Sequence, residues 1–359
     1  MKKLLIWSTD IPSVITGKGN VGGINVQLYF WAKIFVKNGW QVSSFTEGDE
    51  CEMEGIHFYH RTYRKHIDAI IEWFLIAHYL IKVKPDLVMN RGSHRSVYPL
   101  AVLCGLFHIK YVFFGASDVN FEPSDPRSFV GNSINRKMYH RGVGHCKYIV
   151  AQNQYQYDKV AENYGKDSLQ LLNIWMKDEQ TDAANEKDID VIWVANFRPL
   201  KRPEWVLEAA RQMTDKKFVI IGGPGSKKYY NEIKALAQEI GNLDFKGPQP
   251  FAETNDFVSK SKILACTSEI EGFPNTFLQA WVNNIPVVST VNPSGVIDKY
   301  NLGIVVGSED EFQQAIQNLL SDNEDYAEKQ RCIAEYFERT HGAQSNYDKL
   351  LVFIGIDDL

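Results

Sequence analysis

The 359-residue sequence lacks the cysteine pattern of a disulfide-stapled protein. Its five cysteines are scattered and odd in number, and no CxxC pair occurs, which argues against both a disulfide framework and a structural zinc site. The nine histidines show no ligand spacing such as HExxH, so no metal site is expected. No apolar stretch reaches the roughly eighteen residues that a membrane-spanning helix needs. These absences favour a reducing, cytoplasmic location.

Charge is distributed unevenly along the chain, although the net charge is only −5. Residues 1–173 carry 20 Lys and Arg against 15 Asp and Glu, whereas residues 174–359 carry 19 against 29. A basic first half favours an anionic partner, such as a phospholipid surface or a phosphate-bearing molecule, and an uneven surface without consequence is the alternative. No nucleic-acid partner is expected.

Short apolar runs alternate with helical patterns throughout, which is typical of parallel sheets covered on both faces. The predicted strands are 3–8, 42–46, 87–90, 111–114, 148–152, 191–195, 217–221, 243–246, 263–265, 285–288 and 303–306. The predicted helices are 24–37, 66–83, 97–107, 132–141, 155–164, 203–213, 229–240, 251–259, 275–283 and 311–320, with a helical tail over 325–354. The start, MKKLLIW, faintly resembles a signal peptide, but its apolar run is short and predicts a first strand.

The polar, charged stretch 177–188 is the best candidate for a linker between domains. The predicted organisation is two doubly wound α/β units in tandem, residues 1–173 and 174–339, and the helix at about 340–359 is a candidate to pack back on the first. Each unit is expected to bind ligands at the carboxyl ends of its strands. If the two edges face each other, the cleft between them is the expected working site.

The segment SEIEGFPNTFLQAW, residues 268–281, passes from a predicted strand through an acidic loop into a helix. Glu271 offers a carboxylate and Gly272 a flexible backbone. The first amides of the helix, near Asn275 and Thr276, lack intrahelical partners and can hold an anion. The alternative is an ordinary turn in which Asn275 caps the helix and nothing binds.

The glycines at 17–23, GKGNVGG, contain a GxGxxG pattern, and Glu47 follows the second strand. This pattern alone suggests a dinucleotide site, but residues 9–16 separate the strand from the first glycine, whereas the fingerprint turns tightly off its strand. A looser interpretation is that Gly22 and Gly23 let helix-start amides approach a phosphate.

The segment VANFRPLKRP, residues 194–203, places Arg198, Lys201 and Arg202 between a strand and a helix. Such cations suit a diphosphate because charge-assisted hydrogen bonds stabilise negative oxygens, and a solvated basic loop is the alternative. The loop GGPG at 222–225 predicts either a close backbone approach or a simple turn.

The helical pattern at 66–83 is almost continuously apolar and is flanked by basic residues. These flanking residues are Arg61, Arg64, Lys65, Lys82 and Lys84. A buried core helix is one interpretation, and a helix that touches a membrane surface with its basic ends is the other.

Together these residues resemble the family-4 glycosyltransferases, which have the GT-B architecture of two Rossmann-like domains facing across a cleft. The resemblance covers nearly the whole chain and rests on Gly22-Gly23, on NFRPLK at 196–201, and on EGFPNTFLQAW at 271–281 followed by IPVVS. It implies retaining transfer of a sugar from a nucleotide diphosphate donor, with no metal ion and no cofactor besides that substrate.

The resemblance also implies roles for single residues. Lys201 matches the family's diphosphate-binding lysine, and Arg198 is the candidate to replace an arginine that the family has where this chain has Asn196. Glu271 matches the first glutamate of a paired-glutamate motif, which lies against the donor sugar. Gln279 stands at the second glutamate, which binds the ribose, and an amide still offers hydrogen bonds there.

Two further groups complete the predicted site. The family often carries a histidine after the strand at 111–114, and here Ser117 and Asp118 are the candidates for that catalytic place. The remaining donor-binding residues are Gly22, Gly23, Phe273, Pro274, Asn275 and Thr276.

The resemblance thus implies a cytoplasmic hexosyltransferase that extends a bacterial-type surface glycan or glycolipid, and a peripheral position at the inner face of the plasma membrane is a further expectation. The first domain is expected to take the glycan or lipid-linked acceptor and the second the nucleotide sugar. A same-face attack would pass the acceptor's proton to the leaving phosphate. A nucleotide-sugar epimerase, a non-catalytic nucleotide-sugar-binding subunit and a dehydrogenase are the alternatives, and the base, the sugar and the acceptor stay open.

Overall fold

The structure is a computed structural model that describes residues 1–17, 22–61, 69–129, 131–177, 187–271 and 273–356. The chain divides into two compact units, one formed by Met1–Ile174 with Ala343–Leu359 and the other by Trp175–Gly342. Among the predicted features, most of the linker, part of the glycine segment, Arg64, Lys65 and Gly272 lie outside the described residues.

The described residues form fourteen strands in two sheets. In the first unit the strands are β1 Lys3–Ile6, β2 Gln41–Thr46, β3 Cys51–Met53, β4 Ile56–His60, β5 Leu87–Arg91, β6 Lys110–Phe114, β7 Tyr148–Ala151 and β8 Leu169–Gln170. In the second unit they are β9 Ile189–Val194, β10 Phe218–Ile221, β11 Leu243–Gly247, β12 Ser261–Cys266, β13 Val287–Ser289 and β14 Gly303–Val305.

Fourteen α-helices connect and follow these strands in the part of the chain that the structure describes. They are α1 Ile11–Thr16, α2 Gly23–Lys37, α3 Ala69–Val83, α4 Val97–Leu106, α5 Ser133–His145, α6 Gln154–Tyr164, α7 Glu204–Gln212, α8 Lys227–Gln238, α9 Phe251–Ser259, α10 Asn275–Trp281, α11 Val296–Tyr300, α12 Glu309–Ser321, α13 Asn323–Thr340 and α14 Ala343–Ile354.

Both sheets are built from parallel strands in doubly wound order. The first runs β3-β4-β2-β1-β5-β6-β7-β8, in which only the β3–β4 pair is antiparallel among the described strands. The second runs β11-β10-β9-β12-β13-β14 and is parallel between all its neighbouring strands. The predicted α/β class with two Rossmann-like units is therefore confirmed. Central strands such as β5 are buried along their whole length because helices cover both faces.

Five strands and α-helices were not predicted from the sequence, and one of them is the five-residue helix α11 between β13 and β14. The edge strand β3 has three residues and β8 has two, which is too short for an apolar pattern. Strand β4 carries a histidine at its second and last positions, so it lacks a continuous apolar run. Helix α1, with its β-branched residues, occupies much of the segment predicted as a loop, so Gly17 follows a helix rather than turning tightly off β1. That arrangement departs from a dinucleotide fingerprint.

The last helix belongs to the first unit, where α14 packs against α2. The ring of Tyr347 meets that of Phe35 with centroids 4.9 Å apart, and Trp40 donates from Nε1 to Tyr347 Oη at 2.8 Å. The buried Gln27 of α2 also holds Ile174, because its amide exchanges two 2.9 Å hydrogen bonds with the backbone of that residue. Both chain segments at the end of the first unit are thus fixed on one helix.

Helix α3 is half buried rather than fully enclosed. Ile76 and Leu80 lie in the core of the first unit, while Ile71, Phe74 and Ile81 are exposed by 49, 72 and 59%. Arg61, predicted to flank this helix at the surface, is instead buried. Within the described ranges, no helix combines the length and the apolar character that crossing a membrane requires.

Helices α4 and α5 pack closely at Gly142, which generates a stability prediction. A Cβ at Gly142 would lie 2.6 Å from Tyr98 N, so Gly142→Ala forces two helices apart and should destabilise by about 1–3 kcal/mol. At Gly144 of the same helix the nearest atom is Tyr164 Cδ1 at 3.8 Å, so Gly144→Ala should be neutral or stabilise by up to about 1 kcal/mol. Urea unfolding followed by circular dichroism measures both, and the reverse ranking would contradict this packing.

Candidate active site

The order of the second sheet defines where a ligand is expected. Strand β9 lies beside β10 on one side and β12 on the other, so the chain leaves β9 and β12 in opposite directions. In open α/β sheets, this change of direction opens a crevice at the carboxyl ends of the two strands. The loop after β9, residues 195–203, and the described residues of the loop after β12, 267–271 and 273–274, border that crevice.

The loop after β9 is anchored by an aromatic side chain and closed by a tight turn. Phe197 is fully buried and stacks on Phe245 with ring centroids 5.1 Å apart. A 3-10 turn over Pro199–Lys201 follows, and Arg202 adopts a left-handed conformation with φ of 44°. Helix α7 then begins directly after Pro203. This geometry leaves the Lys201 side chain partly buried at the carboxyl edge.

The two loops are joined by hydrogen bonds around Thr267, the first residue beyond β12. Thr267 is fully buried, and its Oγ1 donates to Lys201 O at 2.6 Å and accepts from Trp193 Nε1 at 3.1 Å. Arg202 donates from Nε to Thr267 O at 2.7 Å. The backbone of Lys201 is therefore held against the end of β12.

Lys201 and Glu271 form the central ion pair of this crevice. Lys201 Nζ contacts Glu271 Oε1, and Ser268 Oγ donates to the same oxygen at 3.1 Å. The two charged side chains are exposed by 17 and 24%, so solvent or a ligand can reach the pair. The structure thus brings together a predicted diphosphate-binding cation and a predicted sugar-binding carboxylate that lie 70 positions apart in the sequence.

The three cations of the loop have different surroundings. Arg202 is engaged with Thr267 O, and its guanidinium lies 4.4 Å from the ring centroid of Trp205. Arg198 is exposed, and Asn196, which replaces an arginine in the resemblance, is exposed beside it. Arg202 therefore fixes the loop, whereas Lys201 and Arg198 present charge at the edge.

Two glycines of the 222–225 loop, Gly222 and Gly225, are required by the protein itself. A Cβ at Gly222 would lie 1.7 Å from Ala195 O, and one at Gly225 would lie 2.4 Å from Arg198 Cγ. Phe197 N donates to Gly223 O at 2.9 Å. Close approach to the loop after β9 therefore explains these glycines without a ligand.

The helix after Glu271 differs in detail from the prediction. Helix α10 is seven residues long and begins at Asn275, with Pro274 rather than Asn275 at the N-cap position. Thr276 follows in the first turn. Phe273 packs among aromatic rings, with its centroid 6.0 Å from Trp281 and 5.4 Å from His341.

Gln279, the residue that replaces the second glutamate of the resemblance, lies in the same helix. It is 6% exposed, and its Nε2 donates to Asn255 Oδ1 on α9 at 2.8 Å. That partner was not foreseen, because nothing in the local sequence connects α9 with α10. The bond fixes the orientation of the Gln279 amide.

The predicted residues of the first unit have mainly local contacts. Ser117 and Asp118 are exposed beyond β6, and Ser117 caps a short 3-10 turn over Asp118–Phe121. Asp118 Oδ1 accepts from Asn153 Nδ2 at 2.9 Å and from Gln156 Nε2 at 3.1 Å. The Asp118 carboxylate therefore ties the turn to the start of α6.

Gly22 and Gly23 begin helix α2, with Gly22 at the N-cap. A Cβ at Gly22 would meet no described atom within 4 Å, so packing does not require glycine there. Among the described residues, no group of three or more His, Cys, Asp or Glu is arranged to hold a metal ion.

Comparison with known proteins places the second unit in a functional class. Residues 176–338 match the family model of glycosyl transferases group 1. Solved structures of similar fold include a glycosyltransferase from Rickettsia africae (TM-score 0.69, 14% identity, covering 98% of each chain) and sucrose-phosphate synthase from Thermosynechococcus elongatus (TM-score 0.65, 13% identity, covering 99% of this chain and 98% of that one). The UDP-GlcNAc 2-epimerase of Methanocaldococcus jannaschii is also similar (TM-score 0.63, 13% identity, covering 98% of this chain and all of that one).

A comparison with curated protein sequences finds no match. The domain match and the fold together identify an enzyme of the glycosyltransferase class with the GT-B fold. The family number, the sugar donor and the acceptor depend on the residues of the site.

The contacts of Thr267 generate a prediction for the site's scaffold. Thr267→Val keeps the side-chain shape but leaves Trp193 Nε1 buried without its acceptor, which should lower the free energy of unfolding by about 1–3 kcal/mol. Thr267→Ser keeps the hydroxyl and should lower the free energy of unfolding by less. Denaturant unfolding of the two variants measures the difference, and equal stability would show that these hydrogen bonds do not hold the loop.

Proposed function

We propose that this chain is a retaining, family-4 glycosyltransferase that moves a hexosyl group from a nucleotide diphosphate donor to a glycan or glycolipid acceptor of a bacterial-type surface polysaccharide. The observation that carries the proposal is the Lys201–Glu271 pair at the switch point of the group 1 domain. A cation for a phosphate and a carboxylate for sugar hydroxyls lie side by side there.

On the donor side, Lys201 and Arg198 would stabilise the diphosphate as negative charge grows on the leaving group. Preorganised charges of this kind are usually among the largest contributions to catalysis. Amides at the start of α10, near Asn275 and Thr276, would add hydrogen bonds, with Phe273 and Pro274 shaping the turn. Because α10 is only seven residues long, we assign the larger share of the diphosphate stabilisation to Lys201 and Arg198.

Glu271 would orient the donor sugar, since its carboxylate accepts hydrogen bonds from hydroxyl groups. Lys201 contacts the same carboxylate, so donor binding would require Lys201 to turn toward the phosphate. Gln279 would accept a hydrogen bond from a ribose hydroxyl through Oε1, whose direction is fixed by the bond from Nε2 to Asn255.

The reaction would be a same-face substitution at the anomeric carbon. The bond from that carbon to the diphosphate oxygen breaks while the acceptor oxygen bonds on the same face, and the acceptor's proton passes to the leaving phosphate. Gly22 and Gly23 would let the backbone approach the donor phosphates, and Ser117 or Asp118 would contact the donor sugar. The first unit would take the acceptor, and the chain would act in the cytoplasm.

Substitutions of Lys201 and of Glu271 should have different effects on binding and on turnover. Lys201→Ala should weaken nucleotide-sugar binding by about 1.5–3 kcal/mol in calorimetry, because it removes a charge-assisted hydrogen bond. Glu271→Gln should leave nucleoside diphosphate binding unchanged or slightly tighter, since Lys201 is released, and should lower turnover about a hundredfold or more.

Lys216→Ala is the matched control for Lys201. It removes an equal charge, paired with Asp215 just before β10, at the amino edge of the same sheet. Unchanged binding by Lys201→Ala, or full turnover by Glu271→Gln, would reject the assigned roles. Product analysis with a panel of UDP-, GDP-, ADP- and dTDP-sugars distinguishes transfer to a glycan from epimerisation of the donor and from binding alone.

We further propose peripheral contact with an anionic membrane through α3, α4 and α5. Glu72 is the one carboxylate within these three helices, and it is buried. Their exposed residues include Phe74 and Ile81 of α3, Leu106 of α4 and Ile134 of α5. Apolar side chains on a layer without exposed acids suit a surface of anionic lipid.

Vesicle sedimentation tests this contact. The protein should bind phosphatidylglycerol vesicles and show little binding to phosphatidylcholine vesicles. Phe74→Ser should weaken binding about tenfold, since it removes an aromatic side chain that would insert. Val352→Ser changes an 81% exposed residue on α14 and should have no effect. Equal binding to both lipids, or to neither, would contradict the proposal.

A further inference from the structure

The first unit has its own switch point, between β1 and β5, and a cavity of about 400 Å³ lies there. The cavity is bordered by residues 7–10 beyond β1, by Asn90 and Arg91 at the end of β5, by the start of α2, and by Glu47 and Arg61 beyond β2 and β4. All of its lining belongs to the first unit, and its volume is in the range of small-molecule sites.

Two buried arginines line this cavity, and one of them is electrically balanced. Arg61 donates from Nη2 to both carboxylate oxygens of Glu72, at 2.8 and 2.9 Å. Glu72 also accepts from Trp7 Nε1 at 3.3 Å, and the Arg61 guanidinium lies 4.5 Å from the Trp7 ring centroid. Arg61 therefore has its counter-charge inside the protein, although its Nε, like that of Arg91, has no hydrogen-bond partner among the described residues.

The other arginine, Arg91, has no such counter-charge. It ends β5 and is 8% exposed, and its Nη2 donates to the neutral amide oxygen of Asn173 at 2.7 Å. Among the described residues, no carboxylate pairs with it and its Nε has no hydrogen-bond partner. Burial lowers the pKa of the guanidinium to about 9, so it stays charged at neutral pH. A buried, unbalanced charge is unfavourable unless a ligand compensates it.

The neighbouring residue leaves an acceptor unused in the same cavity. Asn90 donates from Nδ2 to Trp7 O at 3.2 Å, while its buried Oδ1 has no hydrogen-bond partner in the part of the chain that the structure describes. Asp10 and Glu47 also line the cavity. An unused cationic donor, an unused amide acceptor and two carboxylates suit a ligand that combines one oxyanion with several hydroxyl groups.

We propose that this cavity binds an anionic saccharide unit of the acceptor, with its oxyanion on Arg91 and its hydroxyls on Asn90, Asp10 and Glu47. This inference rests on the proposed function and adds the chemical class of the acceptor. The oxyanion is the carboxylate of a sugar acid or the phosphate of a sugar phosphate. Because Asp10 and Glu47 repel a bare anion, inorganic phosphate alone should bind poorly.

Calorimetry without nucleotide tests the class of ligand. The probes are methyl β-glucuronide, glucose 1-phosphate, inorganic phosphate and the neutral methyl β-glucoside. At least one charged sugar should bind about tenfold or more tightly than the glucoside, since a charge-assisted bond is worth about that factor. Preference for the glucuronide assigns a carboxylate, and preference for glucose 1-phosphate assigns a phosphate. Equal binding of charged and neutral sugars, or no binding, overturns the proposal.

Arg91→Gln tests the residue, with Lys137→Gln as the control of equal charge change on the exposed surface of α5. The ratio of charged to neutral sugar affinity should fall to near one in Arg91→Gln and stay unchanged in Lys137→Gln. A purely structural role would weaken both sugars alike, so an unchanged ratio overturns the assignment. If Arg91→Gln does not fold, Arg91→Lys keeps the charge and should retain only part of the preference.

Nuclear magnetic resonance of the arginine Nε–H groups provides a direct readout on the wild-type protein. The Arg91 signal, identified by its absence in Arg91→Lys, should shift with the charged sugar and not with the glucoside; no shift overturns the contact. These measurements use no nucleotide-sugar donor. A failure of donor binding would therefore reject the proposed function while leaving sugar binding intact, and the converse result would reject only this inference.

Discussion

The pairing of β9 with β12 is the constraint on which the candidate site depends. Register between the strands places Leu264 opposite Ile192 and Ala265 opposite Trp193, so both strands end at the same edge. Parallel neighbours end at one edge, and because the chain leaves β9 and β12 in opposite directions, their following loops border a crevice there. Thr267 then converts this proximity into a fixed distance by bonding to Lys201 O. Without that register, Glu271 and Lys201 would not lie next to each other.

The two candidate ligand-binding cations, Lys201 and Arg91, differ in burial and in their partners. Lys201 is partly exposed and already paired with Glu271, so exchanging that partner for a phosphate replaces one solvated ion pair by another at small net cost. Arg91 is almost fully buried and bonds to the neutral amide of Asn173, and no carboxylate of the described residues pairs with it, so in the proposed complex its counter-charge would come from the ligand. The first cation is therefore suited to a ligand that arrives and leaves in each cycle, and the second to selecting the charge of what binds.

The sequence was sufficient for the fold and for the location of the candidate site. Strands such as β5 and β9 are buried on both faces, and this produces apolar runs that a single sequence reveals. The sequence was insufficient where a residue packs against, or bonds to, an element that is distant in the chain. The glycines at 222–225 fit against Ala195 and Arg198, and Arg202 bonds to Thr267. Local patterns contain no information about such contacts.

The same limit applies to residues that were overlooked. Asn90 and Arg91 end an apolar strand, where polar residues normally indicate only the approach of a loop. Their meaning depends on which partners they lack, and a missing partner is visible only in three dimensions. Thr267 and Ser268 were closer to detection, since they follow a strand directly and precede Glu271. Small hydroxyl residues at a strand's carboxyl end are a usable signal in an α/β sheet.

Gln279 stands where the resembled family has a glutamate, and its contacts are compatible with the proposed role in binding the ribose. A glutamate at this place would offer two acceptor oxygens and a negative charge, whereas the glutamine offers one acceptor and a donor. Because Asn255 accepts one of the two amide N–H groups, the amide cannot turn freely, and Oε1 has a fixed direction in which it could accept a hydrogen bond from a ribose hydroxyl in the proposed complex. The substitution thus removes a charge from a 6% exposed position and keeps an oriented acceptor. Burying an uncharged amide is also less unfavourable than burying a carboxylate, so Asn255 and Gln279 together make the replacement physically consistent with nucleotide binding.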